Sequence, residues 1–542
     1  MKRFLNSNKT VNGFYLLIHG CFLLSFLLLQ GCNSAKAISI DASSSALGVL
    51  LSDGDFGIFG NLGNAGGTSP AATYPVNISL SGYVNVTSND LNLTLSNSTD
   101  STTQTLALTA NGSYSFSTEL NIGDSYSITL GSYTQGQTCS ISTNASGTAG
   151  TTGSATIVCE RQLAIAAGWE NNATVPVLRL FGVDHSSSPY SVTKNLSVTI
   201  GGSPSSVDPE LVWNGTNYLL IWKSANTTIK GQFYDISLTA VGSTFTIYNG
   251  ASVTIGKVSA AYNPSGEFAV VWTEAASIRA AKYQRINSST GALIGTATTL
   301  ASSTSNNYSN ADIVWDGSIY YTTFKQSTSG SANSLLTYSF LAAGGTLIRT
   351  YSKTTGADSL SLDYPSLLVQ GSNTWLFFSQ TETDGAGNVI ASTLKSAQNF
   401  ATSTSTIKTE TNPYYCDPAN SSGDQYMIPS AAIASSANLL VSYDLFCADM
   451  GVYNEVSDLS IALPSGTPGA VTNYSYGQMA TGATMGSSIT CRTNYCFMSV
   501  GDESANYLYL FDPDPTNGGD NSTMNLYSDT TNGIENPKTV IQ

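Results

Sequence analysis

Cysteines are the first residues of this sequence with chemistry of their own. The 542 residues contain eight cysteines, and two of them, Cys21 and Cys32, lie in an apolar N-terminal segment. The other six are Cys139, Cys159, Cys416, Cys447, Cys491 and Cys496. An even number is typical of disulfide bonding in an exported chain, and six cysteines allow fifteen connectivities. Order along the chain favours the pairs 139 with 159, 416 with 447 and 491 with 496.

Metal binding is a second kind of chemistry to consider. Zinc sites usually place their cysteines two to four residues apart and add histidines, whereas His185 is the one histidine after the N-terminal segment. Calcium prefers oxygen ligands, and the stretch DPDPTNGGD (512 to 520) supplies them from Asp512, Asp514, Asn517 and Asp520. Its glycine is displaced from the EF-hand position and no glutamate closes the loop. An acidic turn is therefore favoured over a structural calcium site, and no other cofactor is predicted.

The sequence offers little for hydrolysis. A Ser-His-Asp site needs a histidine beside its nucleophile, but His185 stands in the turn-like stretch GVDHSSSP with no G-x-S-x-G motif. A glycosidase needs only two carboxylates, so a carbohydrate-active hydrolase stays open as an alternative. Resemblance to sialidases would require repeated Ser-x-Asp-x-Gly-x-x-Trp turns, which are absent. The prediction is a binding protein rather than an enzyme.

The N-terminal segment has the pattern of an export signal. An apolar run, FYLLIHGCFLLSFLLL (14 to 29), follows three positive residues and ends in LQGC (29 to 32). The positive residues are Lys2, Arg3 and Lys9. A run of this length can also nearly cross a bilayer, so a single-pass anchor is the alternative. The small residue and cysteine that close the run favour a signal peptide over residues 1–31.

The LQGC stretch resembles the lipobox of bacterial lipoproteins. Leu29 stands at the third position before the cleavage point, and Gly31 lies directly before Cys32. This resemblance implies that Cys32 becomes an acylated N-terminus that holds the protein on a membrane. The next residue is Asn33 rather than Asp, which by analogy with lipoprotein sorting favours the bacterial outer membrane, on its surface or facing the periplasm.

Composition restricts the partners of this chain. Only 10% of the residues are charged, and 35 acidic against 20 basic side chains give a formal net charge of -15. A surface of this sign repels phosphate backbones, so nucleic acid is not an expected partner. Residues 32–73 are rich in Ser, Gly, Ala and Asn, and this composition predicts a flexible tether between the membrane and the folded part.

Short alternating strands then begin, as in LNLTLS (91 to 96) and SYSITLG (125 to 131). Their spacing predicts a small antiparallel β-sandwich over residues 74–160. The run TLALTANGSYSFSTELNIGDSYSITL, followed by GQTCSIS and TIVC, resembles a module of bacterial surface lipoproteins. That resemblance implies an immunoglobulin-like or transthyretin-like sandwich with its two cysteines near the end.

A repeat occupies the rest of the chain, residues 161–542. Its starts are PELVW (209 to 213), SAAY (259 to 262), ADIVW (311 to 315), PSLLV (365 to 369), PSAAI (429 to 433) and SSITC (487 to 491). Four short strands repeating every 50 to 60 residues or so predict the blades of a β-propeller. Three strands after residue 163 lack a first strand, which NPKTVIQ (536 to 542) can supply. The prediction is thus an all-β protein, a sandwich followed by a seven-bladed propeller closed by the C-terminal strand. The repeat resembles the VWNG-type repeats of bacterial secreted propeller proteins.

Aromatic-rich stretches in the later repeats are the predicted binding loops, because ordered loops on a rigid scaffold commonly carry function. The candidates are Tyr414, Tyr415, Asp417, Tyr426, Asp444 and Tyr453. The six tryptophans are interpreted as packing between blades, and stacking on carbohydrate is the alternative. Together these features predict a lipid-anchored envelope protein that recognises a protein or glycan. A periplasm-facing scaffold for outer-membrane assemblies is the second hypothesis.

Overall fold

The structure is a computed structural model, and the secondary-structure elements of its described residues are β-strands. The described residues are 72–85, 90–170, 176–185, 190–328, 333–342, 344–352, 359–383, 389–410, 426–433, 438–447, 451–462, 467–480, 487–492, 495–502, 507–514, 519–528 and 533–540. Within these ranges no helix is long and apolar enough to span a bilayer.

The first ten strands form a β-sandwich. They are β1 (Thr73–Tyr74), β2 (Asn77–Ser81), β3 (Leu91–Asn97), β4 (Thr102–Leu108), β5 (Gly112–Ser115), β6 (Leu120–Asn121), β7 (Ser125–Leu130), β8 (Gln137–Thr143), β9 (Ser146–Thr148) and β10 (Ala155–Arg161). One sheet has the order β5-β2-β10-β8, and the other has the order β4-β3-β7-β9. Alternate residues of β3, such as Leu91, Leu93 and Leu95, point into the shared core, as expected for a half-buried strand.

One strand pair in the sandwich differs from the predicted antiparallel arrangement. Strands β2 and β10 are parallel, with Ile78 opposite Ala155 and Leu80 opposite Ile157. These two strands come from opposite ends of the module, so no hairpin fixes their relative direction. The chain between them passes through the second sheet, and such a crossover connection permits parallel pairing.

A disulfide joins Cys139 to Cys159 in this sandwich, across the antiparallel pair β8 and β10. A second disulfide joins Cys491 to Cys496. Both are pairings that the order along the chain favours. The third predicted pair includes Cys416, which lies outside the described residues, so that pairing stays a prediction.

We expect the double substitution Cys139→Ala with Cys159→Ala to lower the free energy of unfolding of the sandwich by about 3 kcal/mol. The two cysteines are separated by 20 residues, and the chain-entropy model gives this magnitude for a loop of that length. Chemical denaturation of the full chain, followed by hydrogen exchange of the β3 and β10 amides, measures the loss.

Replacing Cys491 and Cys496 by alanine is the comparison, because their separation is only 5 residues. The same model gives about 2 kcal/mol for this shorter loop. The loss of stability should appear only in the part of the chain that follows the sandwich. Equal losses in the sandwich from both double variants would contradict the loop-length argument.

Seven four-stranded antiparallel sheets follow the sandwich in the described part of the chain. We call them blades 1 to 7. Blade 1 contains β11 (Leu163–Glu170), β12 (Val177–Asp184), β13 (Ser191–Val198) and β38 (Gly533–Val540). Blades 2 to 4 are β14 (Glu210–Trp213), β15 (Tyr218–Ala225), β16 (Thr228–Tyr234) and β17 (Ala240–Asn249); β18 (Thr254–Asn263), β19 (Glu267–Ala275), β20 (Arg279–Asn287) and β21 (Leu293–Ser303); and β22 (Asn306–Trp315), β23 (Tyr320–Thr328), β24 (Ser334–Phe340) and β25 (Thr346–Ser352).

Blades 5 to 7 have the same construction. They are β26 (Ser359–Gln370), β27 (Asn373–Thr383), β28 (Val389–Gln398) and β29 (Ser405–Glu410); β30 (Tyr426–Ile433), β31 (Asn438–Cys447), β32 (Gly451–Ala462) and β33 (Thr467–Ala480); and β34 (Ser487–Arg492), β35 (Tyr495–Asp502), β36 (Tyr507–Asp514) and β37 (Gly519–Ser528). Each blade contacts the next through its innermost strand. In chain order these strands are β14, β18, β22, β26, β30, β34 and β38, and β38 also contacts β14. The fold is an all-β sandwich followed by a β-propeller, as predicted.

The C-terminal strand completes blade 1. Strand β38 pairs antiparallel with β11, and Thr539 stands opposite Ile165 and Val540 opposite Ala164. The two ends of the propeller are therefore joined by main-chain hydrogen bonds. This pairing covers a sheet edge that would otherwise be open.

The turns between first and second strands follow from one short side chain. In blade 2, Asn214 Oδ1 accepts hydrogen bonds from the backbone N–H groups of Thr216 at 2.9 Å and Asn217 at 2.7 Å. Gly215 beside it has φ +93°, a left-handed value that favours glycine. In blade 4, Asp316 accepts from the backbone N–H of Ser318 at 2.8 Å in the same way. The recurrent Asn-Gly and Asp-Gly pairs of the sequence are thus Asx turns.

Tryptophans fill the space between blades. Trp222, Trp272 and Trp375 are among the largest fully buried side chains, and Trp213 is also buried while Trp315 is partly buried. The side chain of Trp169 lies outside the described residues. The buried rings are not accessible for stacking on a carbohydrate, so the packing interpretation is correct for them.

A polar side chain in the innermost strand also binds the backbone of the following blade. The described bonds run from Leu367 N to Asp312 Oδ2 at 2.7 Å, from Ile489 N to Ser430 Oγ at 3.3 Å, and from Thr539 N to Ser488 Oγ at 3.1 Å. These bonds satisfy backbone donors near the propeller axis that have no partner within their own sheet. The serine in the PSAAI and SSITC starts is explained by this contact.

The residues that link the sandwich to the propeller contact blade 2. The side chain of Gln162 donates from Nε2 to the carbonyl oxygen of Ile236 at 2.9 Å, in blade 2. The guanidinium of Arg161 lies 4.1 Å from the centre of the Trp213 ring, a cation–π contact. The connection between the two domains is therefore supported by side chains as well as by the chain itself.

Candidate ligand-binding site at the propeller axis

The predicted binding-loop residues are only partly within the described structure. Tyr414, Tyr415 and Asp417 lie outside it. Tyr426, Asp444 and Tyr453 have described backbones, on three adjacent strands of blade 6, but their side chains are not described. The backbone at Asp444 and Tyr453 is strand, where a loop was expected, because the alternating residues of VSYDLFC and GVYNEVSDL extend the pairing of β31 with β32. The binding role of these six residues stays a prediction.

The predicted calcium ligands lie in blade 7. Asp512 and Asp514 are on β36 and Asp520 is on β37, with Pro513 opposite Asp520 in the register. Asn517 lies outside the described residues, as do the side chains of the three aspartates. In the part of the chain that the structure describes, no three His, Cys, Asp or Glu side chains are grouped to hold a metal ion. The calcium site stays a prediction.

A cavity of about 380 Å³ lies where the innermost strands of the seven blades meet. Each blade supplies lining residues from its innermost strand or from the residues just before it. Those discussed below are Ser206, Asp208, Lys223, Lys257, Asn310, Asp312, Tyr364, Ser366, Ser430, Ser487 and Lys538. None of them was a predicted site residue. Cavities of this size at the centre of a rigid fold are suited to small ligands or to one unit of a larger one.

Bulges direct backbone and side chains into this cavity. The pairing with the second strand shifts register between Ile255 and Val258, between Ser309 and Asp312, and between Asp363 and Ser366. Asp208, Asn310 and Tyr364 have φ values of 40°, 52° and 50°. Left-handed backbone is uncommon for residues other than glycine. Its recurrence at equivalent places in three blades indicates a shape that the axis of this protein requires.

The carboxylates of the cavity are engaged with other protein groups. Asp208 forms an ion pair with the buried Lys223. Asp312 accepts a hydrogen bond from Ser259 Oγ at 2.7 Å and one from the backbone N–H of Leu367 at 2.7 Å. The Asp208 pair lies within blade 2, whereas Asp312 joins blade 4 to blades 3 and 5. Both engagements reduce the capacity of these carboxylates to act on a bound molecule.

Glu210 forms an ion pair behind the cavity wall. Its Oε2 lies 3.5 Å from Nζ of Lys538 on the C-terminal strand. Burial raises the pKa of the Glu210 carboxyl, although the charge of Lys538 acts in the opposite direction. For Lys538, burial lowers the pKa, but attraction to Glu210 and Asp312 outweighs it and raises the pKa above its ordinary value. The pair joins blade 2 to the strand that completes blade 1.

We expect Glu210→Gln to change how stability depends on pH. Because the folded-state pKa of Glu210 is raised, its contribution is fully present below its ordinary value of 4.5 and is lost as the pH rises through the folded-state pKa. The free energy of unfolding of the natural protein should therefore fall with rising pH relative to the variant. Urea denaturation at steps between about pH 4 and pH 8 measures this difference in slope.

Glu160→Gln is the matched control, because Glu160 is an exposed glutamate on β10. The absolute stability of Glu210→Gln is not informative on its own, since the substitution also removes the partner of Lys538. Parallel pH profiles for the natural protein and Glu210→Gln would contradict the prediction.

Lys257 differs from the other lysines of the cavity. It is half-buried on β18 and lines the cavity, yet its ammonium group has no ion pair or hydrogen bond with any described residue. Burial lowers the pKa of Lys257, and repulsion from Lys538 lowers it further, against a smaller attraction from Asp312. A cation in this setting is unfavourable for the isolated protein and available to a bound anion.

Comparison with known proteins identifies no family. No family model matches the chain, and no curated protein matches it either. Among solved structures, a functionally unknown protein from Desulfotomaculum acetoxidans is 12% identical, with a TM-score of 0.38, over 70% of this chain and 98% of that one. The Dos1 propeller is 10% identical, with a TM-score of 0.36, over 68% of this chain and 83% of that one.

An α-L-arabinanase from Penicillium chrysogenum is also similar, at 7% identity and a TM-score of 0.33, over 49% of this chain and 78% of that one. Solved neighbours of this chain thus include a glycoside hydrolase and a protein of unknown function. All three TM-scores are below 0.5, so none of these similarities carries an argument about what this chain does.

Proposed function

We propose that this chain is a lipid-anchored protein of the bacterial cell envelope that binds a glycan or protein ligand through its propeller, without catalysis. The anchor is Cys32, acylated after removal of residues 1–31. The ligand site is the axial cavity. The lipobox resemblance supports the anchoring, and the axial cavity supports the binding.

The observation that carries this proposal is the state of the charged groups in the cavity. Asp208 and Asp312 are engaged with Lys223, Ser259 and the backbone of Leu367. Lys257 lines the same cavity without such a partner among the described residues. A catalytic acid or base must be able to exchange protons with a substrate. An unpaired cation is instead suited to binding an anionic group of a ligand.

A carbohydrate-active hydrolase is the second candidate, because the raised pKa of Glu210 is a property of general acids in glycosidases. Two observations weigh against it. Glu210 is not one of the residues that line the cavity, and its Oε2 faces Lys538. Hydrolysis of a glycosidic bond requires a carboxylic acid and a second carboxylate that flank the bond. Glu210, facing Lys538 behind the cavity wall, is not placed to be that acid.

Binding and turnover can be tested together. The full-length protein, purified in detergent, is applied to arrays of glycans and extracellular-matrix proteins, and chromogenic glycosides are assayed in parallel. Saturable binding without turnover supports the proposal. Turnover that Glu210→Gln abolishes would replace it with the hydrolase, and absence of both activities would favour the envelope scaffold.

The location is tested in intact cells. Metabolic labelling with a fatty acid should mark the natural protein and leave the Cys32→Ser variant unlabelled. Protease treatment of the cells then separates the two possible orientations, because a surface receptor is digested and a periplasm-facing scaffold survives. Labelling of Cys32→Ser would contradict the lipid site.

A further inference from the structure

We propose that the axial cavity binds a carboxylate-bearing sugar, with Lys257 holding the carboxylate. This inference rests on the proposed binding function and names the chemical class of the ligand. It is carried by one unpaired cation inside a cavity whose remaining surface is uncharged or already paired.

The charges of the cavity fit a ligand with a single negative charge. Lys223 is paired with Asp208, and Lys538 is paired with Glu210. Lys257 is left to receive one anionic group. A phosphate carries up to two negative charges, so the carboxylates of Asp208 and Asp312 would repel it more strongly than they repel a singly charged ligand. A single carboxylate is therefore the better match.

The rest of the lining suits a sugar ring. Hydroxyls of Ser366, Ser430 and Ser487 and the amide of Asn310 come from four different blades. Asn310 Nδ2 already donates to Asp363 Oδ1 at 2.7 Å, so this amide offers its Oδ1 as an acceptor. Serine hydroxyls can both donate to and accept from ring hydroxyls. Apolar lining residues lie between them and can contact the C–H faces of a ring: Pro209, Val258, Ile428, Pro429 and Pro537.

A cationic ligand does not fit this arrangement. Of the two carboxylates that line the cavity, Asp312 already accepts from Ser259 and from the Leu367 backbone, and Asp208 is paired with Lys223. A ligand ammonium group would lie near Lys257 without a free acceptor. The ammonium of an amino acid or a lysine side chain is therefore disfavoured.

Lys257 is also costly for the folded protein, as expected of a residue kept for binding. Its side chain is partly removed from water and lies near the like charge of Lys538. Binding residues commonly reduce stability, because they are arranged for the ligand rather than for the fold. Removing the charge should thus stabilise the free protein and weaken binding, a combination that a purely structural lysine does not produce.

Isothermal titration calorimetry of the full-length protein in detergent tests the inference. The probes are D-glucuronate, D-galacturonate and N-acetylneuraminate, with D-glucose, D-galactose and inorganic phosphate for comparison. We expect at least one acidic sugar to bind, and neutral sugars and phosphate to bind at least about tenfold more weakly. Lys257→Met should reduce the affinity for that sugar about tenfold or more, as expected for a lost charge-assisted hydrogen bond, while its Tm rises.

Two variants control for indirect effects. Lys257→Arg keeps the charge and should retain most of the binding. Lys395→Met removes a lysine of β28 whose Nζ donates to Thr406 Oγ1 at 2.6 Å, away from the cavity lining, and should bind as the natural protein does.

The possible failures are distinguishable from failure of the proposed function. Ligand binding on the arrays that does not depend on Lys257 overturns the acidic-sugar inference and leaves the binding function in place. Phosphate binding as tight as that of the acidic sugars overturns the ligand class. No binding to any array component or probe overturns both.

Discussion

Truncation of the chain after residue 532 is expected to open blade 1 and to give the largest loss of stability. It removes β38, which supplies the only described pairing partner on one side of β11. It also removes the Lys538 partner of Glu210 and the Thr539 backbone donor to Ser488. The amides of β11 should lose about a hundredfold or more of their protection in hydrogen exchange. Local opening of β11 then no longer requires breaking its pairing with β38.

The sandwich is the internal control for this truncation. Its β3 and β10 amides belong to separate sheets with their own core, so their protection should change little. Unchanged protection of β11 in the truncated chain would mean that closure by β38 contributes little to the propeller. Uniform loss in both domains would point instead to general misfolding.

Trp222→Ala is expected to lower the free energy of unfolding of the propeller by about 3 to 5 kcal/mol, the range for removing a fully buried large aromatic side chain. Trp222 has no exposed surface, and its Nε1 donates to the carbonyl oxygen of Ile200 at 3.1 Å. The substitution therefore leaves both a cavity and an unpaired buried acceptor between blades 1 and 2. Urea denaturation monitored through hydrogen exchange of β15 amides measures the loss.

Trp315→Ala provides the matched comparison. Trp315 lies on the innermost strand β22 rather than on a second strand, and its ring is only partly buried, so the loss should be clearly smaller. Equal losses at the two positions would contradict the burial argument. A loss below about 1 kcal/mol for Trp222→Ala would show that the space between the blades can rearrange around the missing ring.

Much of the architecture could be predicted because the repeat combines two strong local signals. Alternating apolar residues define each strand, and Asn-Gly or Asp-Gly pairs fix the turn between first and second strands. NPKTVIQ matches the start of a blade that otherwise lacks one, so its pairing with β11 was also accessible. The parallel pairing of β2 with β10 was not, because no local pattern records which distant strands meet.

The axial site was missed for a physical reason. A β-bulge adds a residue and changes which side chains face the axis, so alternation read along the strand misplaces them. A weaker signal was nevertheless present. Turn-forming and charged residues stand at or just before several repeat starts, as in Asp208-Pro209, Gly256-Lys257 and Asn536-Pro537.

The ion pair between Glu210 and Lys538 was likewise beyond sequence analysis. The two residues are brought together only because the C-terminal strand closes blade 1 beside blade 2. Lys257 was overlooked because a single lysine in a strand usually faces solvent. The proposed binding role of Lys257 depends on its ammonium group having no ion-pair or hydrogen-bond partner among the described residues. This became visible only once the seven innermost strands were placed around the axis.

The side-chain contacts of Arg161 and Gln162 determine how mechanical load passes through the molecule. A pull on the N-terminal side of the sandwich reaches the propeller at β11. The Gln162 bond to Ile236 and the Arg161 contact with Trp213 divert part of that force into blade 2. Tension is therefore distributed over two neighbouring blades and their shared packing, and it does not peel the first blade from the ring one hydrogen bond at a time.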